Sequence, residues 1–406
     1  MLFQTLDDKS ECVGVYTGGE LYFSPTELPP DLSRTWQYAP YLRDYDIEYA
    51  SLYLEGKKLQ EVLPEYLQDD WKDATQALQA FRRSLRIAAV NERENCFYDL
   101  VPRRFLIEMC EARNAITRYV LDNVERPARY EFYKRLMVFL EDMSQHSLII
   151  DHRLIASYTE DPKLRHHAKK IADAFPQVRY NQFGTITGRL TGVRNFFPIL
   201  TLPREFRRAV RPTHDSYVEL DFNGAEVRTL LGLLEKEQPE GDVHSYHLEN
   251  LFSDMHSRDE AKVAFFAWLY GSKKNLSPSV QSQLETFYQK SKLLDKHWHH
   301  GKVVTPYGKV MEGVDHHHAL NYLVQSTAAE LTLKQALKMD HLLRTQGSGS
   351  HIAFIIHDAI VVDLKKEDAH LLPALKYLMA STNFGKFEIN IKQGPNLGDL
   401  RKITDG

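Results

Sequence analysis

Arg258-Asp-Glu-Ala-Lys262-Val-Ala-Phe-Phe266-Ala-Trp-Leu-Tyr270-Gly271 carries four functional side chains, Arg258, Lys262, Phe266 and Tyr270, each four residues from the next. At about 3.6 residues per turn, each lags its predecessor by only about 40°, so all four share one face of a helix. Two cations open that face and two aromatic rings close it. A nucleoside triphosphate has the matching form, with anionic phosphates at one end and a flat base at the other. An amphipathic core helix would account for the two rings but not for the cations in register with them.

Working outward, two further segments complete the pattern. Upstream, Val218-Glu-Leu-Asp221-Phe-Asn-Gly-Ala-Glu226-Val-Arg228 reads as a strand ending in an aspartate and then a helix. Downstream, Ile352-Ala-Phe-Ile-Ile-His357-Asp358-Ala-Ile-Val-Val-Asp363 is a run of apolar β-formers broken by His-Asp, the signature of a hairpin with those two residues at its tip. An aspartate after an apolar strand is, taken singly, more often a turn or cap residue. Two of them on neighbouring rigid elements are what two-metal phosphoryl transfer requires, so Asp221 and Asp358 are expected to meet on one sheet.

The rest of the chain supplies the frame. Glu11–Pro25 alternates about Gly18-Gly19 and reads as a β-hairpin; Pro29, Pro30 and Pro40 predict a loop-rich stretch over 24–45. From Trp71 to Ile171 the periodicity is helical, with Leu106, Met109, Arg113, Ile116 and Val120 along one helix and Pro127 as the first-turn residue of a helix ending near Met143. Helices with a small sheet assembled from distant segments imply an α+β fold. Residues 1–73 hold fifteen Asp/Glu against six Lys/Arg, whereas 163–211 hold eleven Lys/Arg against two acidic residues. Such a basic segment within a chain of net charge −4 points to a polyanion partner. The N-terminus lacks the form of a secretory signal, and no apolar run is long enough to span a bilayer. Three scattered cysteines suit a reducing cytoplasm rather than a disulfide framework.

The helix pattern RxxxKxxxFxxxYG resembles motif B, the fingers helix of the family A (bacterial DNA polymerase I type) DNA polymerases. The Asp221 segment resembles motif A (DYSQIELR) and the His357-Asp358 hairpin resembles motif C (VHDE), in the family's order. Thr185-Ile-Thr187-Gly188-Arg189-Leu190-Thr191 is similar to TxTGRLSS, Asp242-Val-His244 to D-I-H, and Asn321-Tyr-Leu-Val-Gln325-Ser-Thr327-Ala-Ala to NxxxQGTAA. Counted generously, the resemblance covers 117–400. It implies a right-hand polymerase with an antiparallel palm sheet, helical fingers at about 235–300 and a much reduced thumb. The expected layout is an N-terminal region over 1–100 (an exonuclease-domain remnant or unrelated module, α/β or mostly helical), a helical lead-in with short thumb over 101–184, and palm and fingers over 185–406.

The resemblance also implies roles. Asp221 and Asp358, with the Phe222 backbone carbonyl, would hold two magnesium ions, or manganese in their place. Lys262 would act as catalytic acid toward pyrophosphate. Arg258, Lys262, Phe266, Tyr270, His244 and Glu226 would bind the dNTP, and Arg189, Thr187, Asn321, Gln325 and His357 the primer-template DNA. Glu226 would fill the space a ribose 2′-hydroxyl needs, which favours a DNA polymerase over a single-subunit RNA polymerase. The intact carboxylate pair argues against a non-catalytic DNA-binding accessory protein, and motif B against a two-metal nuclease. The sequence departs from the family at Ala359, where a second acidic residue is usual, at Gly224 in place of glutamine, and at Asn195-Phe-Phe-Pro198-Ile199, a reduced NLQNIP. Only about thirty residues separate Asp151 from Thr185 where a long thumb is usual, and 1–100 has no DxE strand motif. The expectation is a compact, phage-like enzyme without proofreading, acting in a bacterial or phage-infected cytoplasm, with a processivity factor or other replisome protein to compensate for the thumb.

Overall fold

The computed structural model describes residues 1–7, 13–91, 94–252, 255–271 and 276–403. They form two compact units, Met1–Gln145 and His146–Gly406.

In the first unit, β1 (Gln4–Thr5), β2 (Val15–Thr17) and β3 (Glu20–Tyr22) make an antiparallel sheet in that order. The β2–β3 turn is Gly18-Gly19, both at positive φ (+60° and +88°), which glycine adopts without steric penalty. Glu11 and Cys12, at the start of the expected hairpin segment, lie outside the described residues. Its longer helices follow: α1 (Glu65–Ile87), α2 (Arg103–Asn123) and α3 (Tyr130–Met143). The expected stripe on α2 is real: Leu106, Met109, Ile116 and Val120 are buried, and Phe105 packs on Phe81 of α1 at 4.8 Å between ring centroids. Pro127 is not the first helical residue, however. Arg129 has a non-helical ψ of 16°, so α3 starts at Tyr130, and Pro127 sits in the preceding turn, accepting the Tyr130 N–H through its carbonyl.

The break between the two compact units falls after Gln145. The physical reason is polar as well as apolar: Gln4 on β1 donates to Thr117 and Asn114 of α2, each at 3.0 Å, and Tyr16 donates to Glu111 at 3.1 Å. Helix α2 thereby folds onto the N-terminal sheet.

In the second unit, α4 (His152–Ser157) and α5 (Arg165–Ala172) fall between Asp151 and Thr185, where the resemblance implied a short thumb. Strand β4 (Ser216–Phe222) leads through Gly224 to α6 (Ala225–Leu233). Helices α7 (Val243–Asn250), α8 (Arg258–Leu269), α9 (Pro278–Tyr288) and α10 (Lys290–His297) occupy the stretch expected to be the fingers. Then come the long α11 (His316–Thr345), the hairpin β5 (His351–Ile356) and β6 (Ala359–Leu364), α12 (Leu372–Ala380), β7 (Ile389–Gly394) and β8 (Arg401–Lys402). The sheet runs β5-β6-β4-β7-β8 with every pairing antiparallel. All six residues of β6 are buried, since α11 and α12 pack against the sheet. Gln335, fully buried on α11, donates to the Leu378 and Ser381 carbonyls at 2.7 Å and so satisfies the C-terminal end of α12. In the fingers, Phe265 and Trp268 of α8 meet Tyr288 of α9 at 5.6 and 5.3 Å, burying the face of α8 opposite its cations.

Among the described residues, no helix is long and apolar enough to cross a membrane.

Candidate active site

The sheet register brings the two aspartates together. Asp221 is the cross-strand partner of Ala359, and Ile356 pairs with Ala359 to close a two-residue turn whose members are His357 and Asp358. His357 takes φ +53°, the left-handed conformation that such a turn demands. Asp358 is therefore one residue along from the position facing Asp221. Burial, first, and then the charges of Glu219 and Asp358 push the Asp221 carboxyl up to about 6, against the pull of Lys392 and Lys262. Asp358 is raised too, by burial, opposed by Arg189 and His357. Glu219 is itself engaged, accepting from Lys392 at 2.6 Å across the β4–β7 ladder.

Gly224 has a local cause. It sits at φ +72°, and a Cβ there would lie 2.4 Å from Val243 Cγ1 of α7. The contact closes the β4–α6 turn tightly against the fingers and excludes any side chain, glutamine included. Glu226 follows in the first turn of α6 and is buried. Its carboxylate accepts from Tyr270 Oη at 2.9 Å and from the Arg189 guanidinium. Its pKa is raised by burial and by Asp358, with Arg189 and Tyr270 opposing.

Ser257 caps α8, accepting from the Glu260 N–H at 3.2 Å. Arg258, Lys262 and Tyr270 are exposed on one face of α8 and its C-cap; Phe266 is half-buried beside them, stacked on Tyr270 at 5.6 Å. The opposite stripe (Ala261, Ala264, Phe265, Trp268, Leu269) is core. Lys262 is near enough to Asp221 to act on its charge. His244, at the start of α7, lies 5.9 Å from Phe266; burial above all holds its imidazole down at about 4.

The Thr185–Thr191 loop folds back on itself, Thr185 Oγ1 donating to the Arg189 carbonyl at 2.9 Å, with Thr187 buried. Gly188, Arg189, His357 and Asp358 line one small recess. On α11, Gln325 hydrogen-bonds Tyr270, and Asn321 holds a buried Oδ1 without a partner among the described residues. The Phe222 side chain is buried against Phe387 at 5.6 Å, leaving its carbonyl as the group of interest.

The residues present suit divalent cations. Two carboxylates forced together and partly desolvated repel one another, and a cation removes that cost. No set of three or more metal-ligating side chains converges among the described residues. At the start of α11, His317 packs on Gly271, His318 pairs with Asp315 at 2.8 Å and His316 lies against Trp298, so the run His316–His318 forms no metal-ligating cluster among the described residues.

The pairings of two residues of the site escaped sequence reading. Asp242 accepts from Arg258 in a two-point pair, and Asn223 donates to Asp242 at 3.1 Å. Asp242 ahead of α7 was readable as a helix cap, but its partner sixteen residues on was not.

No protein-family model matches the chain. In sequence it is similar to DNA polymerase I of Chloroflexus aurantiacus, 25% identical over 276 residues (56% of this chain, 29% of that protein). It is also similar to DNA polymerase I of Aquifex aeolicus, 24% identical over 268 residues (56% of this chain, 46% of that protein). The chain thus spans less than half the length of either relative. Among solved structures it matches the POL domain of Pol1 from M. smegmatis, in complex with DNA primer-template and dNTP. That match has a TM-score of 0.68 at 13% identity and covers 98% of this chain and 95% of that one. The chain therefore has the α+β, right-hand fold of a DNA polymerase I polymerase domain, and in sequence it resembles, distantly and in part, the family A DNA polymerases.

Proposed function

We propose that the chain is a DNA-directed DNA polymerase, extending a primer 3′-hydroxyl 5′→3′ on a template with dNTPs, releasing pyrophosphate and without proofreading. The observation that carries this reading is the juxtaposition of Asp221 and Asp358, adjacent through the β4–β6 register, with Lys262 close by.

Asp221 and Asp358, with the Phe222 carbonyl, are the residues to hold two magnesium ions, or manganese in their place. Bound there, the metals supply Lewis-acid stabilisation of the phosphoryl oxygens and a more acidic primer hydroxyl. The bond formed joins the primer O3′ to the α-phosphorus; the bond broken is the α–β phosphoanhydride. Lys262 and Arg258 neutralise the triphosphate, and Lys262 protonates the departing pyrophosphate. Phe266, Tyr270 and His244 line the incoming nucleotide. Glu226, held rigid by Arg189 and Tyr270, closes the space beside the sugar 2′ carbon. Arg189, Thr187, Asn321, Gln325 and His357 contact primer-template DNA. The two short thumb helices suggest a weak grip on duplex, so a processivity factor or other replisome protein is the expected partner. The setting is the cytoplasm of a bacterial or phage-infected cell.

The test is primer extension with magnesium, dNTPs against rNTPs, with Asp358→Asn alongside. Extension with dNTPs alone, abolished in the variant, is expected. Efficient use of rNTPs would remove Glu226 as a sugar gate and favour an RNA polymerase; release of labelled 3′ nucleotide would overturn the absence of proofreading.

A further inference from the structure

Arg258 does not stand free at the head of α8. Its Nε and NH2 groups donate to the two oxygens of Asp242 at 2.8 and 2.7 Å, and NH1 reaches Asp259 at 3.2 Å. Asp242 is fixed from other directions as well. Its Oδ1 accepts the backbone N–H groups of His244 and Ser245 at 3.1 and 2.9 Å, capping α7. Its Oδ2 accepts from Asn223 Nδ2 at 3.1 Å, while Asn223 Oδ1 accepts the Val243 N–H at 3.0 Å. Asn223 lies two residues past Asp221. An unbroken chain of hydrogen bonds therefore runs from the strand of the candidate metal ligand to the guanidinium.

A guanidinium presents more than one donor edge. Asp242 occupies the Nε/NH2 edge and leaves the NH1/NH2 edge, facing a side chain, Asp259, that is itself 88% exposed. Burial alone would raise the Asp242 carboxyl, but the Arg258 hydrogen bonds, the Ser245 N–H and the Asn223 amide hold it well below the usual carboxylate range. It stays charged, and it stays put.

We propose that Asp242 and Asn223 are positioning residues that aim the second edge of Arg258, met here only by the exposed Asp259, at the triphosphate of the incoming nucleotide, in fixed register with Asp221. The proposal rests on the polymerase reading for the identity of the ligand. Its rival is a latch, in which Asp242 competes with the triphosphate for Arg258.

Equilibrium binding of dATP to the full chain with magnesium separates these, since it needs no turnover. Asp242→Ala is expected to weaken binding about tenfold, the size of a lost charge-assisted contact, and to cost nothing further on an Arg258→Ala background. Asn223→Ala should act in the same direction. Asp242→Asn keeps the α7 cap, because asparagine caps as well as aspartate; it should lose affinity at an unchanged melting temperature. In primer extension the same variants should raise KM for dNTP more than they lower kcat. Tighter dATP binding by Asp242→Ala would establish the latch instead, and an equal loss on both backgrounds would reduce Asp242 to a helix cap. A wild type that does not bind dATP would overturn the proposal with its premise. Normal dATP binding with this coupling, but no primer extension, would sink the polymerase reading alone.

Discussion

Asp221 is a carboxylate held where its charge is disfavoured, and that has a measurable consequence. An acid whose folded pKa is raised to about 6 destabilises the fold at any pH above that value, because the ionised form is the costly one. At pH 7.5 without metal, Asp221→Asn is expected to stabilise the protein by on the order of 1–3 kcal/mol. Magnesium should raise the melting temperature of the wild type and leave that of the variant unmoved, and the variant should not extend primers. Melting curves in chelator and in magnesium check this; a variant less stable than wild type in chelator would contradict the electrostatic account. At this scale the sequence was informative about identity and poor about partnership. Asp221, Asp358 and the face of α8 announce themselves through strand ends and spacing. The pairing of Glu226 with both Arg189 and Tyr270 depends on segments far apart in the chain, and no local pattern encodes it.

Among elements, α6 shows how tightly the site is built into its surroundings. Gly232, near its C-terminal end, lies so close to Phe384 that a Cβ would sit 2.2 Å from the phenylalanine Cβ. Gly232→Ala must push α6 or Phe384 aside, a strain of about 1–3 kcal/mol. Because Glu226 rides on the same helix, the urea midpoint and the extension rate should fall together; an unaffected rate would mean that the displacement is absorbed by Phe384. The elements themselves were largely legible: apolar β-formers broken by His-Asp gave the β5–β6 hairpin, alternation gave the Gly18-Gly19 turn, and four-residue spacing gave α8. What periodicity could not give was the register setting Asp221 opposite Ala359, or the bulge between Ile352 and Phe354. The start of α3 was misread because a proline favours a first helical turn but does not compel one.

At the scale of the whole molecule, buried imidazoles set a limit on acid stability. Burial, above all, holds His244 and His351 down at about 4 and His247 at about 3. His351 is packed against His146, at 3.7 Å between ring centroids, and against His214, with only Asp363 offsetting them. These rings are neutral in the fold and titrate near 6.5 once unfolded, so the stability they contribute is complete above about pH 6.5 and is lost as pH falls toward 4. Thermal melts should show the midpoint level from pH 8 to 7 and declining steadily below 6.5; a midpoint level down to pH 5 would refute this. The division of the chain was the part least visible in the sequence. The resemblance implied boundaries at 100 and 184, whereas side chains such as Gln4 and Thr117, unremarkable in the sequence, tie 103–123 to the N-terminal sheet.

The order of strands in the main sheet has a further meaning, one of durability. Asp221 lies on β4, paired on both sides, whereas Asp358 hangs from a hairpin whose outer strand β5 is an edge. On that outer side the Tyr180 hydroxyl accepts the Ile355 N–H at 3.0 Å and donates to the Ile355 carbonyl at 2.5 Å. A single phenol thus does part of the work of a missing neighbour strand. Amide exchange should be slowest along β4 and faster along β5, since edges open first. Warmed gradually, the protein should cease to turn over before its ellipticity changes, the hairpin having peeled away while the central strand still stands.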